Sequence, residues 1–120
     1  MKIVSNNGDF EISSKEQIAA LVRKSAENPF DEIWVCHQEE YPCLGILING
    51  QYAMVDYFTD EGGEMWQSSG CLEENVEFQC GGDVSEMPGS EVIPLDQAIK
   101  CIEEFFDSPE RPGCIEWNEL

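Results

Sequence analysis

The sequence predicts an α+β fold, a mainly antiparallel sheet of about five to six strands packed with two helices, in one domain spanning residues 1–120. Two stretches, one near each end, carry apolar residues at helical spacing. Between them run short segments rich in β-branched and aromatic residues, punctuated by Asn-Gly and Gly-Gly turn signals. A chain of 120 residues has room for one core of ordinary size, and 42% hydrophobic with 10% aromatic residues is enough to fill it.

The first expected element is a helix. Ser13 and Ser14 are candidate caps, Glu16 stands three residues after Ser13 as in a capping box, and Ile18, Leu21 and Val22 share one face. Asn28-Pro29 ends it. Residues 33–37 and 44–48 then read as strands, with Pro42 in their connection. Asn49-Gly50, placed before the apolar run 52–58, predicts a hairpin with a two-residue type I′ turn, which needs positive φ at both positions. An acidic turn over 59–64 leads to a short strand from Met65 to Ser68. In 76–80 the alternation puts Val76, Phe78 and Cys80 on one face, and Gly81-Gly82 stops the strand. Residues 83–90, with Pro88 and Gly89, read as a loop. Leu95, Ala98, Ile99, Ile102, Phe105 and Phe106 mark a second amphipathic helix that opens after Pro94 and covers the sheet. Pro109 and Pro112 prevent its continuation, and 114–117 reads as a last strand with Ile115 and Trp117 turned inward.

Charge sets the expected partners. The chain holds 25 acidic against 6 basic residues, a net charge of −19. Four of the bases, Lys2, Lys15, Arg23 and Lys24, fall in the first 24 residues, and the rest of the chain sets Lys100 and Arg111 against 22 acids. Such a surface repels phosphate, which argues against direct contact with nucleic acid or an anionic membrane, and it steers basic partners inward. The first residues lack the apolar run of a signal peptide, and no segment is apolar for long enough to span a bilayer. Cysteines at 36, 43, 71, 80, 101 and 114 contain no C-x-x-C pair. Free thiols in a reducing cytoplasm are therefore expected.

No group of residues asks for catalysis, a metal or a cofactor. The single histidine, His37, follows Cys36 on a strand, where neighbours point to opposite faces and cannot act as nucleophile and base together. Pairs such as Glu39-Glu40, Glu73-Glu74 and Glu103-Glu104 are what chance gives so acidic a chain. The sequence holds no P-loop, Rossmann fingerprint, G-x-S-x-G or H-E-x-x-H motif. The stretch 60–64 offers oxygen ligands for calcium without EF-hand spacing.

The run Glu110-Arg111-Pro112-Gly113-Cys114-Ile115-Glu116-Trp117, directly after an amphipathic helix, resembles the C-terminal signature of immunity-protein family one of bacterial polymorphic toxin systems. Its signature positions here are Arg111, Pro112, Cys114, Glu116 and Trp117. Val92-Ile93-Pro94-Leu95 is similar to the family's lead into that helix, and Asp60, Gly62, Trp66, Ser68 and Gly70 to its central segment, so the resemblance spans residues 44–119. It implies a cytoplasmic, non-catalytic protein that binds and blocks the C-terminal catalytic domain of a cognate toxin, often a nuclease or nucleic-acid deaminase. A basic substrate groove on such a toxin would fit the acidity of this chain. The expected contact surface is Asp56, Asp60, Glu61, Glu64, Trp66, Glu73, Glu74 and Glu77, carboxylates close in sequence around one aromatic residue, with Trp66 either a binding anchor or core. Two other readings are a nucleic-acid mimic that inhibits basic DNA-binding proteins and a small thiol- or calcium-dependent regulatory module.

Overall fold

A computed structural model describes residues 1–6, 8–27, 30–60 and 65–119. In chain order the elements are β1 (Lys2–Ser5), β2 (Gly8–Glu11), α1 (Glu16–Ser25), β3 (Asp31–Cys36), β4 (Cys43–Asn49), β5 (Tyr52–Phe58), β6 (Met65–Ser68), β7 (Val76–Cys80), β8 (Asp83–Met87), β9 (Ile93–Pro94), α2 (Leu95–Asp107) and β10 (Trp117–Glu119). The main sheet runs β10-β6-β5-β4-β3-β1-β2, with β9 paired to β5, and β7-β8 form a separate ribbon. All of these pairings are antiparallel. The α+β class holds, with a larger sheet than the five to six strands expected.

Period-two alternation sorts the strands between two faces. Ile3, Val35, Leu44, Tyr57 and Trp66 stand opposite one another across five strands. They share a core with Ile18 and Val22 of α1 and with Leu95, Ala98, Ile99, Ile102 and Phe105 of α2. On the opposite face Leu47 and Met54 pack beneath the ribbon through Val76, Phe78 and Met87, joined by Val92. Central strand β4 is thus covered on both sides, which explains its unbroken apolar run. Gly45 within it makes room for Trp34 on β3, since a Cβ there would lie 2.9 Å from the indole ring.

The structure corrects several local expectations. Strands β1 and β2 pair antiparallel, Ser5 opposite Gly8, and β1 adds Ile3 to the core. The helix box is one residue later than predicted: the Gln17 Oε1 atom accepts from the Ser13 and Ser14 backbone N–H groups at 2.8 and 3.2 Å, in place of Glu16. Asn49 pairs with Tyr52, so the β4-β5 turn is Gly50-Gln51, with φ positive only at Gly50. That pattern is type II′ in place of type I′. Gly81-Gly82, both with positive φ, form a type I′ turn, so the expected loop begins instead with strand β8. Cys80, adjoining that turn, is exposed, although Phe78 is fully buried. The last strand starts at Trp117, three residues later than predicted.

Candidate partner-binding surface

An open groove of about 1230 Å³ lies between the β4-β5 turn, the strap 71–75 that precedes β7, and β8. Gly50 allows the turn, and the strap is fixed by close backbone approaches. A Cβ at Gly70 would fall on the Val92 carbonyl, and one at Gly89 on the carbonyls of Leu72 and Glu74. The Gly70 N–H donates to the Ser90 carbonyl at 2.7 Å, and Asn49 Nδ2 donates to the Glu77 carbonyl at 2.9 Å, tying turn to ribbon. Glu73, Glu74, Glu77 and Glu86 are exposed along the groove, where Glu86 accepts from Asn75 Nδ2 at 2.9 Å. Tyr52 and Leu72, 44% and 38% exposed, place two large apolar side chains among these acids. Both also line an adjoining hollow bounded by Ile93, Pro94, Leu95 and Asp96.

Of the residues predicted from sequence, Glu73, Glu74 and Glu77 come together here. Asp60 follows β5 at the end opposite Tyr52, about 20 Å along a seven-residue strand. Glu61 and Glu64 lie outside the described residues. Asp56 sits on the ribbon-side face between Gly45 and Gln67. Its Oδ1 atom is buried without a hydrogen-bond partner among the described residues. Burial pushes its carboxyl up to about 6, a hydrogen bond from Gln67 opposes the shift, and nearby Glu91 adds to it. Trp66 is half-buried against the helix-side core, with the Arg111 guanidinium carbon 4.0 Å above its ring. Tyr52, Leu72 and Glu86 were not predicted. The signal available was Leu72, an apolar residue without periodic neighbours in an acidic stretch.

The residues that carried the family resemblance knit the chain together. Arg111 caps Trp66, the Pro112 carbonyl accepts from Trp117 Nε1 at 2.7 Å, and the Cys114 sulfur lies 3.4 Å from that of Cys101. The Glu116 carbonyl accepts from the Ser69 N–H at 2.9 Å. Trp117 meets Tyr57 edge to face at 6.5 Å. Ser68 is fully buried in the gap where β5 passes from β9 to β6. Its hydroxyl accepts from the Val55 N–H at 3.1 Å and donates to the Glu91 carbonyl at 2.7 Å. These positions specify architecture, and the acidic groove lies apart from most of them.

His37 is likewise tied into the fold, its Nε2 atom donating to the Phe105 carbonyl at 2.5 Å. Burial is the main cause that raises the thiols of Cys43 and Cys114 to about 11, and it raises Cys80 and Cys101 as well. Among the described residues, no cluster of three or more His, Cys, Asp or Glu could hold a metal ion, and no helix is long and apolar enough to cross a membrane.

A family model described as immunity protein Imm1 matches residues 6–119. The chain is also similar to a double-stranded DNA deaminase immunity protein of Burkholderia cenocepacia (strain H111), 26% identical over 121 residues that cover 95% of each protein. With nearly its whole length matched, the chain belongs to the Imm1 family of immunity proteins.

Proposed function

We propose that this immunity protein acts in the cytoplasm, without catalysis of its own, by binding the catalytic domain of a cognate polymorphic toxin and covering the basic surface that receives the toxin's nucleic-acid substrate. Family membership over residues 6–119 is the observation that carries the reading. The named activity of the Burkholderia relative's toxin, deamination of double-stranded DNA, favours a nucleic-acid deaminase as target. The net charge of −19 supplies the physical complement, since carboxylates can occupy sites that a toxin reserves for phosphates.

The groove is the favoured contact. Tyr52 and Leu72 would lose water on docking and anchor the complex, while Glu73, Glu74, Glu77 and Glu86 would meet bases of the partner. Asp60, Glu61 and Glu64 would add to the attracting field, whereas Trp66 would support the sheet behind the surface and Asp56, largely buried on the ribbon side, would lie away from the contact. Titrating the purified chain into the catalytic domain of the toxin encoded beside it tests the reading. Nucleic-acid modification should fall to background near one equivalent. Full toxin activity in a large excess of this protein would overturn the proposal, and equal inhibition of unrelated basic DNA-binding proteins would replace it with nucleic-acid mimicry.

A further inference from the structure

Cys101 and Cys114 meet outside the acidic groove. Cys101 lies midway along α2 with no exposed surface, and Cys114 lies, exposed, in the tail that returns from α2 to β10. Their sulfurs are 3.4 Å apart. A disulfide needs roughly 2.05 Å, a closure within reach of small side-chain rotations. The backbone around the pair is already positioned. The Gly113 N–H donates to the Glu104 side chain at 3.3 Å, and the Trp117 indole holds the Pro112 carbonyl. The two sulfurs also differ usefully in access: a small oxidant can reach Cys114 but not Cys101.

We propose that Cys101 and Cys114 form an oxidation-dependent staple, a single disulfide made by exchange with a low-molecular-weight disulfide, which fastens the signature tail to α2. The Cys114 thiolate attacks one sulfur of the small disulfide RSSR, forming a protein mixed disulfide and releasing one thiolate. Cys101 then loses its proton, attacks the Cys114 sulfur and expels the second thiolate. The released thiolates end as two RSH, so the protein pair is oxidised by two electrons and the small disulfide reduced by two. Partial burial of its sulfur and the Glu104 carboxylate disfavour the Cys114 thiolate, so exchange is slow, and the thiol pool of a reducing cytosol keeps the pair reduced. The closed ring spans residues 101–114, and restricting it in the unfolded chain stabilises the fold.

Trypsin gives a direct readout. It cleaves after Lys100, but Arg111 precedes Pro112, so the fragment 101–120 retains both cysteines and no others. After prolonged incubation of the full-length protein with oxidised glutathione, alkylation under denaturing conditions and digestion, this fragment should be lighter than its reduced form by two hydrogens and carry no alkyl group. The melting temperature should rise by about 10 °C. Cys114→Ser should abolish both changes, and Cys71→Ser neither. The proposal fails if fragment 101–120 remains fully alkylated while glutathione adds to Cys71 or Cys80, or while Cys36 bridges its cross-strand neighbour Cys43. It also fails if the bridge forms without raising the melting temperature.

Discussion

Two buried polar side chains do opposite things to stability. The Ser68 hydroxyl satisfies a strand N–H that neither β6 nor β9 reaches and, on its other side, the Glu91 carbonyl. Ser68→Ala would leave the buried Val55 N–H without its acceptor and the part-buried Glu91 carbonyl without this donor, and thermal or urea unfolding should show a loss of about 2 to 3 kcal/mol. Asp56 is a cost at neutral pH. The folded protein holds its proton more tightly than the unfolded chain does, with a pKa of about 6 against 3.8. Ionisation therefore subtracts stability as pH rises from about 4 through 6, to a total of about 3 kcal/mol, because each unit is worth about 1.4 kcal/mol. Asp56→Asn should raise stability by about 2 kcal/mol at pH 8 and change it little near pH 4, as read from urea unfolding at each pH. An equal effect at both values would show that ionisation is not the cause.

At the scale of elements, what could be read from the chain depended on how much local pattern each element needs. Helix α2 was legible because six apolar residues repeat at helical spacing behind Pro94. Strand β1 was not, since it contributes one core side chain, Ile3, and acquires its identity by pairing with β2 and β3. The Asn49-Gly50 signal located a hairpin correctly but misplaced the turn by one residue, because Gly50 at the first turn position needs no help from Asn49. The acids Glu73, Glu74 and Glu77 were visible by density. Their apolar companion Tyr52 was not, because it lies twenty positions before Leu72 and the strap joins them through backbone contacts at Gly70 and Gly89. The terminal signature read as a strand with Trp117 inward. It is better described as a clasp, with Trp117 half-buried between Tyr57 and the Pro112 carbonyl. Trp117→Ala should cost about 3 kcal/mol in equilibrium unfolding, and Glu116→Gln close to nothing, because Glu116 acts through its backbone carbonyl.

At the scale of the molecule, the helices and the ribbon cover opposite faces of one sheet, and an acidic surface surrounds an architecture fixed by the signature residues. A charge of −19 on a protein of 120 residues carries self-repulsion, and the same field would speed the capture of a basic partner. Recognition should then divide into two parts: the whole field would set the rate of encounter, and Tyr52 with Leu72 would set the lifetime of the complex. The most direct test is the association rate constant with the catalytic domain of the cognate toxin, measured for the wild-type protein and for a Glu73→Lys, Glu74→Lys, Glu77→Lys variant at ionic strengths of about 0.05 and 0.5 M, across which the Debye length shortens about threefold. The expected result is a wild-type rate that falls by at least about tenfold across this range, and a variant that associates slowly at low salt while keeping the wild-type melting temperature. Association insensitive to salt and unchanged in the variant would contradict capture by the acidic surface.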